Sequence, residues 1–379
     1  LGRALNRPEP DPRTIARFRF VEHDEAGEEI SAMRGGLPLK ARRLLARSEQ
    51  AQSDGARINM LEGIRKVLEH ELRCNPAVVL FGEDVGPKGG VHAATRGLQE
   101  LFGEDRVFDT SLSEEGIIGR AVGMALAGLL PIPEIQFRKY ADPAMEQLNN
   151  CGTIRWRTAN RFAAPIVVRM AGGFARRAGD PWHSVSGEAV WLHQCGWCYA
   201  VPSNAEDAVG LLRYALREAN PTIFFEHRAL LDAPEARRPY PGDAYVLPFG
   251  RANVVQAGEA LTVVTWGAMV ERSLAAAETI ADSIEVIDLR TLCPWDSQSV
   301  FNSVRKTKRC LIVHEDGVTV GFGAEIAAQL VESLFEHLDA PIRRIAPPCL
   351  PIPYNRQLMN QLVPAVDVIA KAMQELLRF

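Results

Sequence analysis

The chain has 379 residues, of which 47% are hydrophobic and 24% are charged, and its formal net charge at pH 7 is −4. This is the composition of an ordinary globular protein that is long enough for two domains. The slightly acidic balance gives no support for nucleic-acid binding, and no apolar run reaches the roughly 18 residues of a membrane-spanning helix. Seven cysteines at irregular spacing argue against a secreted disulfide framework and favour a reducing compartment.

The first 55 residues differ in pattern from the rest of the chain. They mix arginines with acidic residues and have weak hydrophobic periodicity. We expect an extended arm with one short helix over residues 37–46, or alternatively a disordered tail. Acidic residues are scarce in transit peptides, so we favour the bacterial cytoplasm over the mitochondrial matrix. The first residue is Leu1 rather than methionine, which is typical of a processed, truncated or excised polypeptide.

From residue 58 onward the pattern alternates between helix and strand. The segment INMLEGIRKVLEHELRC has apolar residues at helical spacing, and AVVLFGEDV is a short apolar strand that ends in Gly and acids. Further strands and helices follow as far as residue 228, and either Ser203 or Asn204 is placed to cap one of the helices. This alternation predicts a parallel sheet with helices on both faces.

A segment rich in proline and glycine, DAPEARRPYPGDAYVLPFGRA, is typical of an interdomain linker. A second pattern of strands and helices follows it and closes with the helical segment VPAVDVIAKAMQELLRF. We therefore predict an α/β fold with two parallel-sheet, three-layer domains over residues 56–235 and 250–379. The arm over residues 1–55 precedes them.

Three loops at predicted strand ends contain side chains that could take part in chemistry, because open parallel sheets bind ligands beyond the carboxyl ends of their strands. Glu114 in SLSEEG fits either a partly buried functional carboxylate or a simple first-turn acid. His183 in GDPWHS fits either a general acid or base, or a hydrogen-bonded loop histidine. Tyr140 in QFRKY fits either stacking on an aromatic ligand or an ordinary core position.

The segment WLHQCGWCYAVP contains Cys195 and Cys198, with His193 just before them. A C-x-x-C pair can mark a redox dithiol or half of a zinc site. The chain has no second pair of this kind, which argues against a four-cysteine zinc site. We expect both cysteines to be small buried hydrophobic residues and His193 to be structural, with a redox role as the alternative.

Several motifs between residues 58 and 379 occur in one recognisable order: GEDVGPKGGV, SLSEEGIIG, EIQF, HSVSGEA, IDLRTLCPWD and VGFGAEIA. In this order they resemble the beta subunits of thiamine-diphosphate-dependent 2-oxo acid dehydrogenases. The resemblance implies a pyrimidine-binding transketolase-like domain followed by a transketolase C-terminal-like domain. It also implies decarboxylation of a branched-chain 2-oxo acid or pyruvate, and transfer of the acyl group to a lipoyl group.

The resemblance assigns roles to the candidate residues. Glu114 would act in catalysis by hydrogen bonding to the aminopyrimidine ring of thiamine diphosphate, which promotes loss of the thiazolium proton. His183 would face the substrate and assist its binding or the acyl transfer. The same cofactor pocket would also be lined by Leu112, Gln136 and Tyr140.

Members of the family also carry a structural monovalent-cation site, for which K⁺ is the expected ion. Glu218 stands where Asp is more common in the family, and Arg138 and Lys139 stand where small or acidic residues are usual. We expect these two cations to make the mouth of the site more basic, and Val185 also departs from the usual polar residue. The residues implied at the cation site are Ile166, Leu216, Glu218 and Asn220.

The resemblance further implies that this chain carries only half of a site. In the family an alpha subunit holds the diphosphate and Mg²⁺ through a G-D-G motif, which this sequence lacks. We expect activity only with an alpha subunit, in an α₂β₂ heterotetramer or as the other half of a fused chain. The second domain would support contacts between beta subunits and dock the lipoylated acyltransferase core. The alternatives are a fragment similar to transketolase or deoxyxylulose-phosphate synthase, and a non-catalytic paralogue.

Overall fold

The computed structural model describes residues 2, 6, 8–9, 11–27, 29–30, 46–52 and 55–379. The helix predicted over residues 37–46 lies outside them, apart from residue 46, which is not helical. The described residues form two α/β units, each built on a mostly parallel sheet, so the predicted fold class is confirmed. Among these residues, no helix combines the length and the apolar character needed to cross a bilayer.

The strands and helices that build the two units follow one another from residue 57 to residue 376, and a 3-10 helix, Pro12–Thr14, lies before them in the arm. The strands are β1 (Arg57–Ile58), β2 (Val78–Gly82), β3 (Val107–Asp109), β4 (Leu130–Ile135), β5 (Val167–Gly172), β6 (Cys198–Ala200), β7 (Thr222–His227), β8 (Arg238–Pro239), β9 (Asn253–Gln256), β10 (Leu261–Thr265), β11 (Ile284–Asp288), β12 (Thr291–Cys293), β13 (Cys310–Val313) and β14 (Arg343–Ile345). The α-helices are α1 (Met60–Cys74), α2 (Leu98–Phe102), α3 (Glu114–Leu126), α4 (Met145–Arg157), α5 (Glu188–Leu192), α6 (Ala205–Arg217), α7 (Met269–Ala277), α8 (Ser297–Thr307), α9 (Phe322–Leu334), α10 (Arg356–Leu362) and α11 (Val366–Leu376).

The two main sheets are parallel except at single edge strands. The first has the strand order β12-β6-β7-β5-β4-β2-β3 and the second the order β14-β13-β10-β11-β9. Strands β12 and β9 run antiparallel to their neighbours. By sequence β12 belongs to the second unit, yet it joins the sheet of the first, where Thr291 lies opposite Ala200. The two units are therefore joined through the sheet as well as through the linker.

Side-chain caps set the starts of the two helices that pack against each other on the first unit, α1 and α6. The Asn59 side chain accepts the N–H of Glu62 at 2.8 Å at the start of α1. At the start of α6, Asn204 accepts the N–H of Asp207 at 3.0 Å, so Asn204 is the cap that the sequence pattern offered. Ser203 instead hydrogen-bonds to Asp288 of the second unit at 2.5 Å.

A buried charge cluster lies in the centre of the first sheet. Arg169 of β5 is fully buried, and its guanidinium donates to Glu226 of β7 at 2.6 and 3.0 Å and to Glu134 of β4 at 2.6 Å. Both carboxylates are also buried. Buried charges are tolerated only when they are paired and hydrogen-bonded, so this cluster fixes the carboxyl ends of three adjacent strands.

Polar contacts also join the two units beside the loop that follows β5. The indole N–H of Trp266 donates to Glu188 at 2.9 Å, and Nε2 of His227 lies 2.5 Å from Glu315. Glu315 also accepts the N–H of Phe174 at 2.8 Å. All of these side chains are buried, so the loop after β5 is held against the second unit.

The described parts of the arm lie on the surface of the first unit. The indole N–H of Trp156 donates to the carbonyl of Ile15 at 2.7 Å, and the N–H of Ser48 donates to the carbonyl of Ala244 at 2.9 Å. These residues form neither a long helix nor a strand of the main sheets.

Burial of Glu188 makes the junction between the two units sensitive to pH. Burial, and next the neighbouring carboxylate of Asp316, raise the pKa of Glu188 to about 8. Folded Glu188 therefore keeps its proton at pH values where the unfolded chain has lost it. Stability falls with rising pH in this window, because the folded state then binds more protons than the unfolded state.

We expect the melting temperature of the wild-type chain to fall between about pH 4.5 and about pH 8, and to fall less in Glu188→Gln. Glutamine keeps an oxygen that can accept from Trp266 but does not titrate. Melting curves followed by circular dichroism across this range test the prediction, with the exposed Glu332→Gln on α9 as the control. Identical pH profiles for wild type and Glu188→Gln would contradict it.

Candidate active site

The structure places every predicted catalytic and cofactor-binding residue beyond the carboxyl ends of parallel strands. Glu114 is the first residue of α3, and the Ser113 hydroxyl caps this helix by accepting the N–H of Gly116 at 3.4 Å. The positive end of the helix dipole therefore lies beside a half-buried carboxylate. The full set is Leu112 and Glu114 after β3, Gln136 and Tyr140 after β4, and His183 after β5.

A second carboxyl group, that of Glu83, lies near Glu114. Glu83 directly follows β2, and its Oε1 atom is buried with no hydrogen-bond partner among the described residues. Burial, and next the negative charges of Glu114 and Asp84, raise the pKa of Glu83. Sequence reasoning missed Glu83, although an acid directly after a buried strand was visible in the motif GED.

The Gln136 side chain connects the loop after β4 to the loop after β2. Its side-chain amide donates to Asp84 at 3.2 Å, which ties the end of β4 to the end of β2. The following residue, Phe137, begins the aromatic part of the site. Since Gln136 and Phe137 are adjacent, the loop after β2 is linked to the aromatic residues of the loop after β4.

His183 is held from both sides of its ring. Its Nε2 lies 2.8 Å from the hydroxyl of Tyr140, and its Nδ1 lies 3.2 Å from Oδ2 of Asp180. The other oxygen of Asp180 accepts the N–H groups of Trp182 and His183 at 2.9 and 2.6 Å. Although burial acts to raise it, these N–H groups and His183 lower the pKa of Asp180, so this group is an anion.

The anionic Asp180 defines the arrangement of protons along this cluster. A carboxylate only accepts hydrogen bonds, so Nδ1 of His183 carries a proton and donates to Asp180, while Nε2 faces the Tyr140 hydroxyl. Sequence reasoning missed Asp180. The available signal was its place three residues before His183 in a turn, where an aspartate commonly captures nearby N–H groups.

The ring of Phe137 packs against the rings of both His183 and Tyr140. Its ring centroid lies 4.0 Å from that of His183 and 5.9 Å from that of Tyr140. The Arg228 guanidinium lies 5.3 Å from the ring centroid of Phe137. Tyr140 and His183 are both half-buried, so this aromatic cluster is partly open to solvent.

The expectation of a more basic site mouth is wrong for Arg138. Its side chain is buried and donates to Asp142 at 2.8 Å, and its guanidinium lies 5.2 Å from the ring of Trp191. The 3-10 helix Arg138–Ala144 begins at this residue and places the side chain inside the unit. Lys139 also pairs with Asp142, which offsets its charge.

The expectation that Cys195 and Cys198 are both buried is wrong for Cys195, which is exposed. It lies in the turn after α5, where Gly196 has a positive φ of 78° and approaches the backbone of Gly152 closely. Cys198 is buried in β6, and burial raises the pKa of its thiol far above the ordinary value. Both thiols are free, and His193 is exposed as well.

The residues implied at a monovalent-cation site converge on the loop between α6 and β7. Leu216 lies in the last turn of α6, and Glu218 and Asn220 lie in the loop itself. The carbonyl of Ile166, just before β5, accepts the N–H of Thr222, the first residue of β7, at 2.9 Å. Within the part of the chain that the structure describes, no three His, Cys, Asp or Glu side chains are grouped to hold a metal ion.

Two family models match the chain. The model described as "Transketolase, pyrimidine binding domain" matches residues 56–234. The model described as "Transketolase, C-terminal domain" matches residues 250–369. The first match includes Glu83, Glu114, the cluster of Tyr140, His183 and Asp180, and the loop after α6.

Curated relatives match over most of their length. The 2-oxoisovalerate dehydrogenase subunit beta of Pseudomonas aeruginosa is 40% identical over 315 residues, covering 79% of this chain and 90% of that protein. A mitochondrial 2-oxoisovalerate dehydrogenase subunit beta 2 of Arabidopsis thaliana is 40% identical, covering 82% and 87%. The pyruvate dehydrogenase E1 component subunit beta of Bacillus subtilis is 36% identical, covering 85% and 99%.

A solved structure shares the fold. The chain described as "Split gene transketolase, inactive beta4 tetramer" aligns with a TM-score of 0.67 at 20% identity, over 85% of this chain and 99% of that one. Together with the family models and the curated relatives, this leads to one conclusion: the chain belongs to the family of 2-oxo acid dehydrogenase E1 beta subunits, with transketolase-like pyrimidine and C-terminal domains.

Proposed function

We propose that this chain supplies the pyrimidine side of a thiamine diphosphate site and, with an alpha subunit, decarboxylates a 2-oxo acid. The observation that carries the proposal is the hydrogen-bonded cluster of Tyr140, His183 and Asp180, which lies beyond the same strand ends as Glu83 and Glu114. The acyl group then passes to a lipoyl group of the acyltransferase core. The names of the relatives favour a branched-chain 2-oxo acid, with pyruvate as the second candidate. The relatives include a bacterial protein and a plant mitochondrial protein, and the sequence analysis considered the bacterial cytoplasm and the mitochondrial matrix.

The residues present suit the aminopyrimidine end of this cofactor. Glu114 at the start of α3 can hydrogen-bond to a ring nitrogen, and the nearby Glu83, whose pKa is raised by burial, adds a second carboxyl group to this edge. Leu112 is 80% exposed in the chain and offers an apolar contact to a planar ring. When bound, thiamine diphosphate supplies the electron sink that decarboxylation of a 2-oxo acid needs.

The charge of this edge supports the need for a partner. Three acidic residues, Glu83, Asp84 and Glu114, lie at this edge. Although Lys88 offsets Asp84 at 2.8 Å, an ionised carboxyl group here would repel a diphosphate at short range. The partner would therefore provide the groups that bind the diphosphate and its Mg²⁺. The chain's own contribution is to orient the pyrimidine ring and to hold a proton at Glu114.

His183 would contact the substrate or the acyl acceptor from the opposite side of the site. Its ring is fixed by Tyr140 and Asp180, while about a third of its side chain is exposed. A fixed imidazole with one proton on Nδ1 can accept a proton at Nε2 and return it. Asp180 acts through His183 and is a positioning residue.

We expect Glu114→Gln to lower 2-oxo acid decarboxylation by at least about 100-fold, because the amide cannot exchange a proton with the ring. The assay combines the chain with its alpha subunit, thiamine diphosphate, Mg²⁺ and an artificial electron acceptor. Glu115→Gln is the matched control, since Glu115 is the next residue of the same helix turn and is exposed. Near-normal activity of Glu114→Gln, or full activity of the chain without its partner, would contradict the proposal.

We expect Asp180→Asn to lower kcat on the order of 10- to 100-fold with a smaller change in KM, because a neutral amide no longer selects the Nδ1-protonated form of His183. A purely structural role would lower the amount of folded enzyme and leave kcat per folded enzyme and its pH profile unchanged. Asp232→Asn, at an exposed position, is the control. An unchanged kcat and pH profile in Asp180→Asn would rule out the positioning role.

A further inference from the structure

The loop between α6 and β7 is bound by an arginine of the N-terminal arm. The Arg47 guanidinium donates to the carboxylate of Glu218 at 2.8 Å and to the carbonyl of Arg217 at 2.8 Å. The Glu218 side chain is only 12% exposed, so its charge has lost most of its contact with water. One guanidinium thus satisfies both a side-chain and a main-chain oxygen at the end of α6.

A second arginine approaches the same loop from inside the first unit. Arg155 of α4 is buried and donates to the carbonyl of Ala219 at 2.7 Å. It also donates to Asn160 at 2.5 Å, and Asn160 in turn donates to the carbonyl of Ile30 in the arm at 2.7 Å. The buried cation is therefore connected to the arm through one amide.

The arm also supplies a main-chain donor. The N–H of Val21 donates to the side-chain oxygen of Asn220 at 2.7 Å. Three consecutive residues of the loop, Glu218, Ala219 and Asn220, therefore each give an oxygen to an N–H donor, and two of these donors belong to guanidinium groups.

This donor set does not fit a monovalent cation. Such an ion is held by several carbonyl and carboxylate oxygens that face one point, as hard cations prefer oxygen ligands. Here three oxygens of the loop, on the Glu218 and Asn220 side chains and the Ala219 carbonyl, face N–H groups instead. Two positively charged guanidinium groups would also repel an added cation at short range. The glutamate at position 218, longer than the more usual aspartate, lets the carboxylate reach Arg47.

We propose that the N-terminal arm takes the structural place of the monovalent cation at this loop, with Arg47 providing the positive charge beside Glu218. The arm thereby stabilises the start of β7, the strand that carries Glu226 and His227 at its other end. The stability of the protein is then independent of K⁺ and dependent on the arm.

The test compares melting temperatures of the full chain in KCl and in choline chloride at equal ionic strength. We expect no K⁺-specific stabilisation of the wild type. We expect Arg47→Ala to lower the melting temperature by about 1–3 °C, since a partly exposed ion pair contributes modestly. Arg13→Ala is the matched control, because Arg13 is an arm arginine whose carboxylate partner, Asp11, also lies in the arm.

A double-mutant comparison separates this ion pair from general destabilisation of the arm. Glu218→Ala should lower the melting temperature of the wild type but change it much less in the Arg47→Ala background. Saturable stabilisation of the wild type by K⁺, beyond that given by choline, would overturn the proposal. Equal melting temperatures for Arg47→Ala and Arg13→Ala would also overturn it.

Discussion

The candidate site depends on one buried cation, the guanidinium of Arg169 between the carboxylates of Glu134 and Glu226. Removing the Arg169 guanidinium would leave both buried carboxyl groups without their partner, and breaking a buried ion pair in this way typically costs about 3–5 kcal/mol. The three strands therefore keep one relative position at their carboxyl ends. The loops that carry Gln136, Tyr140 and His183 begin at two of these strands, so the geometry of the site follows from the cluster below it.

The charge distribution above this cluster agrees with the proposed division of the chemistry between two chains. Three acidic residues, Glu83, Asp84 and Glu114, form this edge, and Lys88 pairs with Asp84. Beside it, the Tyr140 hydroxyl and Nε2 of His183 lie 2.8 Å apart on the aromatic surface. Such an edge suits the proposed role of one half of a cofactor-dependent site, and the chain belongs to a family named for subunits.

The sequence allowed prediction of features that depend on local pattern. The alternation of strand and helix patterns predicted the two sheets, and the residues before α6 restricted its cap to Ser203 or Asn204. The predicted strand ends indicated the positions of Glu114 and His183. Features that depend on contacts between distant segments were missed. The inward direction of Arg138 depends on Asp142 and Trp191, and the exposure of Cys195 depends on the approach of Gly196 to Gly152. Glu83 and Glu114 likewise follow two different strands, β2 and β3, and no pattern within one segment predicts that their charges interact.

The central claim is that this chain binds the pyrimidine end of thiamine diphosphate and leaves the diphosphate to its partner. Titration calorimetry with thiamine and with thiamine diphosphate, on the chain alone and on the chain with its alpha subunit, tests this claim most directly. The account predicts that the diphosphate adds little affinity on the chain alone and a large, Mg²⁺-dependent increase with the partner. Tight, Mg²⁺-dependent binding of thiamine diphosphate by the chain alone would contradict it.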